Sequence, residues 1–267
     1  ASVERGYIET LLEMPWDKVS EDSMDMEKAE RILEEEHYGL EQVKEEVGDL
    51  INLVTVSNLR KQHDLPVEDM SLHLVFTGNP GTGKTMMARL MARIYKSLGM
   101  LSKGHLVEVD RSGLVAGFVG QTAIKTQQVI DKAMGGVLFI DEAYGLANTE
   151  RGRGAEAINV LIQEMENHSD KLVVIFAGYQ HQMHELLKTN PGIASRIGRE
   201  IVFEDYSLEQ LVEIFHHLCR KEGFVLDPSA TSNLEDCISS RMNQEFFGNA
   251  REMGTLLQSL KEAWSEE

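Results

Sequence analysis

Leu72-His73-Leu74-Val75-Phe76, followed by Gly78-Asn79-Pro80-Gly81-Thr82-Gly83-Lys84-Thr85, decides the fold. The apolar run predicts a short strand and the glycine-rich stretch a turn. Met87, Leu90, Met91, Ile94 and Leu98 then recur at helical spacing, so the turn opens a helix. The octapeptide fits G-x-x-x-x-G-K-[ST] in the context that pattern requires, strand before and helix after. Its glycines let backbone N–H groups turn inward around phosphate oxygens, and the helix adds its positive N-terminal end. Lys84 would reach the β- and γ-phosphates of ATP, and Thr85 would offer its hydroxyl to Mg²⁺. Asn79, Pro80, Gly81, Thr82, Gly83, Lys84, Thr85 and Met86 are therefore candidate nucleotide contacts.

Downstream, strands alternate with helices. Strands are expected at Leu106–Val109, Val137–Ile140, Leu172–Ala177 and Ile201–Phe203, with a loop at 110–120 and helices at 121–134, 155–167 and 181–188. This alternation predicts a parallel sheet with helices on both faces. The strand Val137-Leu-Phe-Ile140 ends in Asp141-Glu142. Alone, such a pair is ordinary. After a phosphate loop in the same α/β pattern, Asp141 would hold Mg²⁺ through its water shell and Glu142 would deprotonate the attacking water. A small-molecule kinase would not need that base.

From Ser207 the chain reads as helical. Ser207-Leu-Glu-Gln210 is a capping box. Leu208, Leu211, Val212, Phe215, Leu218 and Cys219 follow at helical spacing, which predicts a buried thiol at Cys219. A second helix would start at Asp227-Pro228, and Asn249 would cap a third carrying Leu256, Leu257, Leu260 and Trp264. Upstream, helices are expected at 4–14, stopped by Pro15, at 25–38, capped by Asp25, and at 40–62 with Val43, Val47, Leu50 and Val54 on one stripe.

Composition narrows the function. Of the 267 residues 42% are hydrophobic, enough for a packed core, and the net charge is −18. Residues 1–50 hold 16 acidic and 5 basic residues, so this stretch carries −11 of it. Duplex nucleic acid is a poor match for that balance, and no apolar run approaches a membrane span. With two cysteines and no signal-peptide pattern, a reducing cytoplasmic setting is expected.

The motifs SLHLVFTGNPGTGKT (71–85), SKGHLVEVDRSGLVAGFVGQTA (102–123), GGVLFIDEAYGL (135–146), LVVIFAGY (172–179), NPGIASRI (190–197) and FGNAR (247–251) together resemble the AAA+ superfamily. Within it, the chain resembles the branch of stage V sporulation protein K and the CbbX-like, red-type Rubisco activases. Arg5–Asp22 and Ala29–Glu45 look like the segment before the ATPase domain of Lon proteases. The resemblance implies an N-terminal segment (1–38), an α/β P-loop domain (39–205) with a five-stranded parallel sheet in order 5-1-4-3-2, and a C-terminal helical lid (206–267). It also implies a homo-oligomeric, hexameric ring acting on a protein client.

By the same resemblance, Arg196 is the arginine finger reaching a neighbour's γ-phosphate, with Arg199 the fallback in the same loop, and Arg251 is the lid's sensor arginine. Each could instead be a surface ion pair. Phe118-Val119-Gly120 matches a pore loop that grips polypeptide, the alternative being that Phe118 is a buried loop anchor. Tyr38-Gly39-Leu40 matches the segment that wraps adenine. Tyr179, in Ala177-Gly178-Tyr179, stands where many relatives place a polar sensor, and its role is open. The leading reading is a protein-remodelling ATPase. The alternative is the ATPase module of a Lon-like protease with its peptidase elsewhere, and a nucleic-acid motor is disfavoured.

Overall fold

The computed structural model describes residues 40–67, 70–118, 120–147, 153–227, 231–244 and 247–265. The helices expected at 4–14 and 25–38, Tyr38, Gly39, most of the Lon-like segment and Val119 lie outside the described residues.

Strand β1 (His73–Gly78) pairs in parallel with β4 (Val173–Gly178) on one side and β5 (Ile197–Phe203) on the other. Beyond β4 lie β3 (Val137–Ile140) and β2 (Leu106–Val109), giving one five-stranded parallel sheet of order β2-β3-β4-β1-β5. This is the order the resemblance implied, counted from the other edge. The central strands read as unbroken apolar runs because helices cover both faces. Leu74, Phe76 and Phe139 enter a core under α1 (Glu41–Gln62) and α2 (Lys84–Ser97). Val75, Leu138 and Ile140 point the other way, into a core under α4 (Thr122–Ala133), α5 (Arg153–Asn167) and α6 (Gln180–Thr189); a short α3 (Arg111–Leu114) precedes α4. Successive side chains of a strand alternate faces, so four or five residues seed both cores.

Several details of the sheet domain depart from the sequence reading. The segment 110–120 is not all loop, since the Asp110 carboxylate accepts the Gly113 N–H at 2.9 Å and caps α3. A second short helix, α7 (Pro191–Ala194), precedes β5. β5 itself begins at Ile197 rather than Ile201, because it pairs with β1 from His73 onward, with a register shift between His73 and Leu74 that leaves Gly198 unpaired and continuous register from Leu74–Arg199. Polar Arg199 and Glu200 hid that start from an apolar-run reading.

The lid comprises α8 (Leu208–Lys221), α9 (Thr231–Met242) and α10 (Asn249–Ser265). The capping box forms as expected: Ser207 Oγ accepts the Gln210 N–H at 3.2 Å, and Gln210 Oε1 accepts the Ser207 N–H at 2.9 Å. Ser207→Ala should lower stability by about 1 kcal/mol, read as a drop in the urea midpoint at unchanged slope. Helix α9 is described from Thr231, and the start expected at Asp227-Pro228 falls on residues 228–230, which lie outside the described residues. Leu256, Leu257 and Cys219 are buried in the core that also holds Leu74 and Phe76, so lid and sheet share one apolar interior. Leu260, expected on the buried stripe, is 47% exposed. Asn249 spends its side chain on the sheet domain rather than on capping α10.

Candidate functional site

The site forms at the C-terminal ends of β1, β3 and β4, where open parallel sheets place ligand crevices. Gly81 and Gly83 stand at φ +74 and +95, conformations that disfavour any Cβ, and they turn the loop after β1 into the start of α2. Thr82 is fully buried and its hydroxyl donates to the Asn79 carbonyl at 2.8 Å, bracing the loop from inside.

Lys84 curls over the loop. Its Nζ donates to the Gly78 and Asn79 carbonyls at 2.7 Å each. Burial pushes its pKa below the ordinary lysine value, and the nearby Arg251 charge adds to this while Asp141 opposes it. A cation held in a half-dry pocket gains most from an anionic partner.

β3 delivers the two carboxylates. The Asp141 N–H donates to the Val109 carbonyl at 2.8 Å, which fixes the strand end, and Asp141 Oδ1 accepts the Glu142 N–H at 3.0 Å. Glu142 lies in the left-handed region (φ +47, ψ +42), held there by a 3-10 turn at Ala143–Leu146 in which the Gly145 N–H donates to the Glu142 carbonyl at 2.8 Å. A non-glycine residue in that region stores roughly 1 kcal/mol or more of strain, a cost that clusters at functional sites. Beside it Tyr144, which carried no role in the sequence reading, has its pKa pushed up to about 12, first by burial and then by the Glu142 charge.

One cleft of about 430 Å³ gathers these groups: Pro80, Gly81, Gly83, Lys84, Thr85, Met86, Asp141, Glu142, Tyr179 and Arg251 line it together with Gly78 and Gly178. Met86 is 55% exposed there. Other expected site residues lie elsewhere. Asn79 belongs to the loop but turns its amide outward to Asp205 (3.0 and 2.9 Å). Leu40 is buried and faces a separate hollow of about 140 Å³ beside Tyr206. The side chains of Asn79 and Leu40 do not line this cleft.

Arg196 is at the other end of the sheet. Ile197 pairs with His73 at the start of β1, whereas Phe203 pairs with Gly78 at the phosphate loop. Five β1 steps separate these ends, about 17 Å. Arg196 is bound to the exposed Glu166 carboxylate and donates to the Gly192 carbonyl at 2.9 Å. Arg199, by contrast, donates into its own fold, to the Glu46 carbonyl of α1 at 3.1 Å.

Phe118 is 75% exposed, which excludes the buried-anchor alternative, and Gly120 follows at φ +79. The stem of its loop is braced. Lys125 donates to the Ser112 and Val115 carbonyls (2.6 and 3.2 Å). Arg153 donates to the Ala116 and Gly117 carbonyls (3.3 and 2.8 Å). Thr126 donates to the Leu114 carbonyl at 3.2 Å. Among the described residues no helix is long and apolar enough to cross a membrane.

Known proteins place the chain. Residues 74–205 match the ATPase family associated with various cellular activities (AAA), and residues 207–266 match the AAA lid domain. Protein CbbX of Cereibacter sphaeroides is 46% identical over 234 residues, covering 86% of this chain and 76% of that protein. The chloroplastic ribulose bisphosphate carboxylase/oxygenase activase of Cyanidioschyzon merolae is 44% identical over 227 residues, covering 84% of this chain and 78% of that one. In three dimensions the AAA domain of FIGL-1, crystallised with ADP, superposes with a TM-score of 0.57 at 18% identity, over 81% of this chain and 68% of that one, which speaks to the fold alone. With its parallel sheet, phosphate loop, paired carboxylates and helical lid, the chain belongs to the AAA family of ATPases, related to CbbX and that activase, and it hydrolyses ATP.

Proposed function

We propose that this ATPase remodels a protein client from within a ring, probing it with Phe118. The observation that carries the reading is an aromatic side chain, 75% exposed, on a glycine-flanked loop whose stem is fastened by Lys125 and Arg153. Exposing a phenylalanine to water is unfavourable unless a partner covers it. A ring would align such loops around a central opening, where apolar contact would grip a polypeptide without reading its sequence. The net charge of −18 supports protein over nucleic acid as the client. Because of the activase relative, ribulose bisphosphate carboxylase/oxygenase is the first client to test, and a hexamer is the assembly we expect.

The ATP site supports a division of labour. Lys84, now satisfied by loop carbonyls, would exchange them for phosphate oxygens. Thr85 and Asp141 fit a hard divalent cation, since both offer oxygen at the cleft floor, and they would hold Mg²⁺. When bound, Mg²⁺ would neutralise phosphate charge. Glu142 would take the proton of the attacking water, Arg251 would touch nucleotide from the lid, and Arg196 would act on the neighbouring subunit's site.

Phe118→Ala should keep more than half of the basal ATPase rate while ATP-dependent reactivation of an inactive ribulose bisphosphate carboxylase/oxygenase falls at least tenfold. Parallel loss of both activities would mean that Phe118 serves the fold rather than the client.

A further inference from the structure

The hinge between sheet and lid holds a polar network centred on Asn249 and Asp205, neither of which the sequence motifs single out for nucleotide chemistry. Asn249, the first residue of α10, is only 1% exposed and lies at φ +48, in the left-handed region. Its side-chain amide has three partners. Oδ1 accepts the Tyr206 N–H at 3.1 Å, and Nδ2 donates to Asp205 Oδ1 at 2.8 Å and to the Pro80 carbonyl at 3.3 Å. Asp205 in turn accepts from Asn79 of the phosphate loop. One residue on, the Ala250 N–H donates to the Gly81 carbonyl at 3.2 Å. A Cβ on Gly81 would overlap the Gly248 carbonyl, so lid and loop backbones meet directly there.

These contacts fasten α10 to the outer rim of the phosphate loop immediately before Arg251, which lines the cleft. A buried amide with every hydrogen-bonding group engaged fixes orientation, because rotating it leaves several polar groups unpaired at once. The strained backbone of Asn249 has the same implication, since such conformations persist only where the surroundings impose them.

We infer that Asn249 and Asp205 are positioning residues for ATP hydrolysis: they latch the lid onto the phosphate loop and so hold Arg251 at the cleft. The inference rests on Arg251 contacting nucleotide. Without the latch, the competent lid position is populated only part of the time, and apparent nucleotide affinity falls by that fraction. Losing one shared buried amide corresponds to about a tenfold loss.

The test is a double-mutant cycle on the full chain, reading the Kd of a fluorescent ADP analogue and the KM and kcat for ATP. Asn249→Gly removes the amide while tolerating the left-handed backbone. It should weaken binding about tenfold and raise KM more than it lowers kcat, with a folded thermal melt. In an Arg251→Ala background the same change should cost less than twofold, because the latch acts through that arginine. Asp205→Ala provides the same cycle should Asn249→Gly not fold. Equal losses in both backgrounds would overturn the latch and make the network merely structural. Arg251→Ala weakening binding while neither latch variant does would overturn this inference alone. An Arg251→Ala chain that binds normally would overturn the reading of Arg251 and the latch with it.

Discussion

Glu142→Gln is expected to lower ATP turnover by 10²-fold or more while leaving nucleotide affinity within about twofold, measured by phosphate release and by binding of a fluorescent nucleotide. General-base catalysis contributes on the order of 10²–10⁴ in rate. The exchange removes a proton acceptor yet keeps the shape of the side chain and its hydrogen-bonding capacity. The left-handed turn that aims residue 142 into the cleft is held by the Gly145 N–H on the Glu142 carbonyl and by the Glu142 N–H on the Asp141 side chain, neither of which needs the Glu142 carboxylate. Gln should therefore take up the same place. Normal turnover in this variant would remove Glu142 from the role of base and turn attention to Asp141. Tyr144, held beside the same carboxylate, should then lose the part of its raised pKa that comes from the Glu142 charge.

For Arg196→Ala the expected loss in ATP hydrolysis is on the order of 10³-fold, the lower end of what an arginine supplied to a phosphoryl-transfer site provides. Its position makes the test sharp. With β5 running about 17 Å from Ile197 to the level of the phosphate loop, Arg196 cannot serve the cleft of its own chain. Head-to-tail contact in a ring would present it to the next chain instead. Arg196→Ala chains keep their own Glu142, and Glu142→Gln chains keep their Arg196. Mixed at equal amounts, roughly a quarter of interfaces would again be complete. ATPase activity rising in the mixture above both parents is the expected outcome. A mixture as inactive as its components would rule out action across an interface. Arg199→Ala is expected to show instability rather than a specific hydrolytic defect, since Arg199 ties β5 to α1 through the Glu46 carbonyl.

How much of this was visible beforehand depended on how local the determining interaction is. The phosphate loop could be read directly, because positive φ at Gly81 and Gly83 and the lysine that follows Gly83 at the start of α2 are properties of adjacent residues. The strand ending in Asp141-Glu142 was equally plain, since four apolar residues before two acids mark a strand buried on both faces. The Ser207 capping box needs only four residues and formed as written. The early start of β5 was hidden, because polar Arg199 and Glu200 interrupt its apolar signal and only pairing with β1 makes that stretch a strand. Asn249 was legible as a helix start but not as a latch, since its partners Pro80, Asp205 and Tyr206 are remote in sequence.

Taken alone, the order of residues determined the α/β class, the phosphate loop, the carboxylate pair and the helical C-terminal region, because turns, caps and periodicity are set within a few bonds of the chain. Tertiary structure decided which of those residues share a cleft, that Arg196 lies at the far end of the sheet from Lys84, that Phe118 stands in solvent on a braced stem, and that the lid grips the loop through Asn249. Those outcomes depend on strand register and on contacts between segments 10 to 169 residues apart, where folding free energy rather than local preference selects the partner.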